Sequence, residues 1–260
     1  MKIAAGFGIA ALLVATQVRA EHITAYWQLE SDRQSGPVEI ARGTALLKQR
    51  LLPAKLARLT EAATPSGSAT PVPAGTLVYL VVNDSGKRGW CTLKNLAGAA
   101  KSLLLPVLDR RPCFVDSDGD GRFDASFSVF DIYSRLSPPQ PRGDLNSAAP
   151  MAQPARYEAV DAHTYPEAMT LTYTLVGSQS AINGVRMQVA LDRPGHFDSV
   201  DVRSSNKTDV RTLQALGVAL RLQSVTAGTV RGDLLVIEPG YISGFTNGTL
   251  FLPKLPDAAR

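Results

Sequence analysis

Hydrophobic and polar residues alternate with period two over much of the chain. In "MTLTYTLV", Met169, Leu171, Tyr173 and Leu175 fall on one side, and Thr170, Thr172 and Thr174 on the other. Successive side chains of a strand point to opposite faces, so this pattern predicts a sheet with one buried and one wet face. "VRMQVAL" repeats it, with Val185, Met187, Val189 and Leu191 opposed to Arg186 and Gln188. The turn-rich "GSQSAING" lies between them, and the two segments predict an antiparallel hairpin. "AYWQL", "GTLVYLVV", "VALRLQSV", "GDLLVIE" and "TLFLP" are further strand candidates. Turn dipeptides such as Asn183-Gly184, Pro194-Gly195, Pro239-Gly240 and Asn247-Gly248 separate the later ones. The predicted fold class is all-β, mainly an antiparallel sandwich or barrel, with one or two short helices.

The helices are expected in two stretches that break the alternation. "ALLKQRLLPAKLARLTEAA" places Leu52, Leu56 and Leu59 at helical spacing, although Pro53 interrupts it. "NLAGAAKSLLLPVL" reads as a short helix ending before Pro106. Residues 137–155 hold five prolines and little apolar content, which predicts a linker or long surface loop without a ladder. The expected division is therefore a signal peptide at 1–20, a β-rich unit at 21–136, the linker at 137–155 and an antiparallel β unit at 156–260.

Composition and charge change this picture at the ends. Lys2, the apolar run Ile3–Ala15 and the residues before Ala20 have the make-up of a secretory signal cut after Ala20. That run is shorter than the roughly 20 residues that span a bilayer. Removing Lys2 and Arg19 lowers the formal charge from +4 to +2. With no basic run or arginine–aromatic stripe, nucleic acid is not an expected partner. No later segment is long and apolar enough to be a transmembrane helix. The expected location is exported, periplasmic or extracellular. There the pair Cys91 and Cys113, with no C-x-x-C spacing, predicts one structural disulfide, two buried thiols being the alternative.

The main candidate chemistry lies directly after that second cysteine. "CFVDSDGDGRFD" packs Asp116, Asp118, Asp120 and Asp124 into one short turn. Calcium takes about six to eight oxygens, and carboxylates on alternate residues can be aimed inward by one tight turn. The stretch resembles the D-x-D-x-D-G calcium loops of EF-hand, dockerin and thrombospondin type 3 repeat proteins, over about a dozen residues. The resemblance implies Asp116, Asp118 and Asp120 as side-chain ligands, Arg122 through its carbonyl and Asp124 as a fourth carboxylate, around a structural Ca²⁺. Where an EF-hand or dockerin supplies its last acid this chain has Phe127. Phe123, Ala125, Phe127 and Val129 then alternate with polar residues, so the loop is expected to run into a strand, with Asp131, water or a carbonyl completing the shell. An Asp/Gly turn held by its own hydrogen bonds is the alternative.

No catalytic constellation accompanies the loop. G-x-S-x-G, H-E-x-x-H and phosphate-loop motifs are absent, and the internal histidines His163 and His196 read as surface residues. Arg142-Gly143-Asp144 reads as a solvated turn, and Asn83, Asn206 and Asn247 sit in glycan-acceptor triplets. The functional expectation is an exported, non-catalytic β protein that binds an unknown surface or envelope component. The alternative is a secreted, polysaccharide-acting hydrolase, with two acids in a cleft beside aromatics such as Trp27 or Tyr241.

Overall fold

A computed structural model describes residues 23–93, 110–132, 140–166, 168–177, 184–192, 202–203, 212–236, 241–242, 244–246 and 249–251. The first strands are β1 (Ile23–Ala25), β2 (Trp27–Ser31), β3 (Gly36–Ala41), β4 (Ala45–Pro53), β5 (Leu56–Leu59) and β6 (Leu77–Asn83). Then come β7 (Arg88–Thr92), β8 (Arg110–Val115), β9 (Arg122–Ile132), β10 (Gln140–Arg142) and β11 (Ala149–Val160). The C-terminal strands are β12 (Met169–Gly177), β13 (Val185–Asp192), β14 (Val202–Arg203), β15 (Thr212–Ala215), β16 (Val218–Val225) and β17 (Thr229–Val236). Three short strands follow: β18 (Tyr241–Ile242), β19 (Gly244–Thr246) and β20 (Thr249–Phe251). The all-β expectation holds, and no described helix reaches seven residues.

Strands β5, β6, β7, β8, β9 and β11 each pair antiparallel with the next, and β11 returns to β5. The result is a closed six-stranded meander barrel, which leaves no free edge around its girth. A second sheet runs β14-β13-β12-β4-β2-β18 and a third runs β15-β16-β17-β3. One apolar cluster joins them to the barrel: Trp27, Leu51, Tyr173 and Leu220 pack in it with Tyr79, Cys91 and Phe127. The predicted hairpin is β12–β13, in register from Thr170↔Asp192 to Gly177↔Val185.

The helix expected across 45–63 is not formed; β4 and β5 occupy it. Leu47 and Leu51 are buried while Lys48 and Arg50 are exposed, which is a strand alternation hidden by Gln49. Gln49 is fully buried, with its amide 2.7 Å from the Tyr173 hydroxyl. That hydroxyl also lies 2.9 Å from the Leu216 carbonyl. A phenol has one proton, so both contacts are filled when Gln49 turns its NH₂ to the phenol and Tyr173 donates to Leu216. A polar residue at an inward position thus removed the signal that period-two reading needs. The other expected helix, 95–108, lies outside the described residues, as do the expected signal peptide at 1–20 and His196.

The Pro-rich stretch also differs from expectation. Gln140–Arg142 pairs with β9, and Ala149–Val160 pairs with both β9 and β5. Its described prolines are accommodated locally: Pro141 sits in a three-residue strand with one partner, and the β11 register shifts between Pro150 and Ala155, a span that includes Pro154. Ladders β4–β12 and β3–β17 connect residues from either side of this stretch. In Arg142-Gly143-Asp144, the Asp144 carboxylate accepts the Asn146 N–H at 2.9 Å and caps a 3-10 turn, Leu145–Ser147. Asn83 is buried, and its side-chain oxygen accepts from Ser85 and Lys87, so it is not an exposed glycan acceptor.

Candidate metal centre

The aspartate turn joins β8 to β9, with Val115 opposite Ala125 across the ladder. It runs into a strand, as the alternation after Phe123 predicts, and Phe127 is a buried residue opposite Cys113. Gly119 and Gly121 have φ of +79° and +84°, which a side chain would strain. These two reversals fold the acids back over their own backbone. Gly119 N–H donates to Asp116 Oδ1 at 2.7 Å and Gly121 N–H to Asp116 Oδ2 at 3.0 Å. Asp118 accepts from the Asp120 N–H, and Asp120 from the Arg122 N–H.

Carboxylate oxygens of Asp116, Asp118 and Asp120 lie within 4.8 Å of one another. Among the described residues no basic side chain pairs with any of them: Arg122 reaches instead towards the Pro154 carbonyl and Glu61. Like charges at this separation repel by about 1 kcal/mol per pair even in the dielectric of water. Oxygens bound to a hard cation at about 2.3–2.6 Å stand up to roughly 5 Å apart, so the three can hold a metal ion. An all-carboxylate set suits a hard cation better than a soft one.

Asp124 lies outside this group; its Oδ1 accepts from Ser117 Oγ at 2.8 Å. Arg122 opens β9 opposite Arg156, and the Asp131 side chain is outside the described residues. The residue that sequence reading missed is Tyr157, which comes from β11. Its hydroxyl donates to Asp116 Oδ2 at 2.9 Å, and its N–H donates to the Gly121 carbonyl at 3.3 Å. Burial, reinforced by the hydrogen bond to Asp116 and by the negative charges of Asp116 and Asp120, pushes the phenol up to about 12. No local pattern marks a tyrosine 41 positions beyond Asp116 as its partner.

Tyr157 is itself held by rings. It stacks on Phe123 with centroids 4.1 Å apart, Phe123 lies 5.2 Å from Phe114, and Trp90 lies 5.7 Å from Tyr157. Phe114 precedes the turn and Phe123 follows it, so the stack closes its base. The Cys91–Cys113 disulfide joins directly opposed residues of β7 and β8, and β8 leads into the same turn. Staple and acid turn thus act on consecutive strand pairs.

A second charged group lies elsewhere. His163, in a 3-10 turn at Ala162–Thr164, sets Nδ1 2.6 Å from Asp161 Oδ1 and Nε2 2.5 Å from Glu30 Oε1. Only an imidazolium can donate from both nitrogens. The hydrogen bond to Asp161, then the bond and charge of Glu30, raise the His163 pKa above its ordinary 6.5. Hydrogen bonds from the His163 backbone and ring hold Asp161 below 3.8. The His163 contribution to stability is therefore complete below pH 6.5 and lost as pH rises through the higher folded value. Asp161 contributes above pH 3.8, and loses its contribution as pH falls through its depressed value. We expect His163→Gln to lower the melting temperature below pH 6.5 and the difference from the parent to shrink as pH rises through the raised folded value. A constant difference across that range would show that the imidazolium bonds add nothing.

Among the described residues no helix is long and apolar enough to cross a membrane. No protein family, curated protein or solved structure matches this chain.

Proposed function

We propose that this chain is an exported, non-catalytic β protein in which Asp116, Asp118 and Asp120 hold a structural Ca²⁺, and which binds a surface or envelope component. The observation that carries the metal reading is the convergence, in a turn braced by Tyr157, of three carboxylates that have no basic side-chain partner among the described residues. The Arg122 carbonyl and Asp124, directly or through water, are the further ligands in this reading. Calcium fits an oxygen-only shell with room for water, and the disulfide is compatible with an oxidising compartment. The hydrolase alternative loses Trp27 as a cleft aromatic, because Trp27 is fully buried against Tyr79.

Without a chelating twelfth-position acid, affinity is expected in the range of about 10⁻⁴–10⁻³ M seen for extracellular modules. At ten times the dissociation constant, calcium adds about 1.4 kcal/mol to stability. In a chain of this size that is on the order of 3–6 °C in melting temperature. Asp118→Ala is the informative variant, since Asp118 is exposed and among the described residues accepts only the Asp120 N–H. It is expected to melt like the parent in chelator and to show no calcium shift. Equal melting of the parent with calcium and with chelator removes the metal reading.

A further inference from the structure

The outward face of the sheet containing β2, β4, β12 and β13 holds a cavity of about 430 Å³. Ladder register sets two rows across its floor. Glu30 lies opposite Arg50, Arg50 opposite Thr170, and Thr170 opposite Asp192. In the next row Lys48 lies opposite Thr172. Asp32 flanks Lys48, its N–H donating to the Lys48 carbonyl and its carboxylate accepting the Lys48 N–H at 2.8 Å. The two cations therefore stand on one strand, roughly 7 Å apart along it, each with a threonine beside it.

The charges differ in what already satisfies them. Glu30 is bonded to His163, and Asp32 to the Lys48 backbone. The side chains of Lys48, Arg50 and Asp192 make no hydrogen bond or ion pair among the described residues. No apolar or aromatic side chain lines the cavity. Small-molecule sites of about 300–1,000 Å³ are mostly apolar, whereas every side chain lining this one carries a polar or charged tip on a carbon stem, which suits a ligand that has both polar groups and C–H surface. A guanidinium can clasp a carboxylate or sulfate through two parallel bonds. A bare anion would leave the negative charges of Asp192 and Asp32 unmatched, whereas ring hydroxyls can donate to both carboxylates.

We propose that this cavity binds an acidic saccharide of one or two rings, with its acidic groups on Arg50 and Lys48 and its hydroxyls on Thr170, Thr172 and Asp192. The proposal goes beyond the metal reading and does not depend on it, since the cavity and the aspartate turn are built on different sheets. It names one chemistry for the surface component.

The test is calorimetric titration of the full chain, in chelator, with a uronate disaccharide, a neutral disaccharide and inorganic sulfate. Saturable binding of the uronate is expected, with none of the neutral sugar. Lys48→Gln and Arg50→Gln, both at exposed positions, should each weaken it about tenfold or more, the size of one charge-assisted bond. Asp192→Asn should weaken the uronate while leaving sulfate unchanged. Absence of saturable binding, equal binding of the neutral sugar, or insensitivity to the two cation variants overturns the proposal. So does sulfate binding as tightly as the uronate, which would make this an inorganic-anion site only. Because chelator is present throughout, failure here is distinct from failure of the calcium shift.

Discussion

Removal of the disulfide, by Cys91→Ala with Cys113→Ala, is expected to lower the stability of the chain by about 3 kcal/mol. The bond spans a sequence separation of 22. In the chain-entropy account, a link of that span restricts the unfolded ensemble by this amount, less any strain in the folded state. Nothing else is expected to replace it, since both sulfurs are fully buried within the apolar cluster shared by the barrel and the sheets. Urea unfolding of oxidised parent and double variant measures the difference. A loss within about 0.5 kcal/mol, the size of an ordinary surface substitution, would mean that the β7–β8 ladder and its packing fix this register unaided.

The second large effect is expected at Phe123. Truncating a buried aromatic to alanine costs about 3–5 kcal/mol, through lost burial and the cavity left behind. Phe123 is fully buried between Phe114 and Tyr157. Its loss removes the surface on which Tyr157 rests, and Tyr157 fastens Asp116 and the Gly121 carbonyl. Phe123→Ala should therefore also shrink the calcium-dependent melting shift, because the ion would have to order a looser turn. Phe123→Leu restores most of the apolar volume but not the stack, worth about 0.5–1.5 kcal/mol beyond burial. It separates the two effects. A full calcium shift in Phe123→Ala would show that the turn positions its acids without the rings.

The aspartate spacing is the clearest case of a side-chain cluster legible in sequence. A turn is local, so Asp116, Asp118 and Asp120 can meet with little help from distant parts of the chain. Asp124 shows where that logic stops, for it lies on β9 and its direction follows the strand, towards Ser117. The Glu30–His163–Asp161 group was beyond reach because Glu30 and His163 are 133 positions apart. Trp27 looked like a candidate cleft aromatic and proved to be core, since exposure depends on which face a neighbouring layer covers.

By itself the sequence determined what a short window can encode: alternating strands, the β12–β13 hairpin, the acid turn and a cysteine pair able to bond. Each follows from side-chain period or residue chemistry within a few positions. Only the tertiary structure decided that β11 closes a barrel against β5, and that Gln49 is an inward position with one hydrogen bond to Tyr173. It alone brought Tyr157 to Asp116 and set Lys48 and Arg50 beside two threonines. The reason is that strand pairing is chosen by edges meeting across long chain separations. Burial, charge and hydrogen bonding there depend on which partner arrives, not on the residues that precede it.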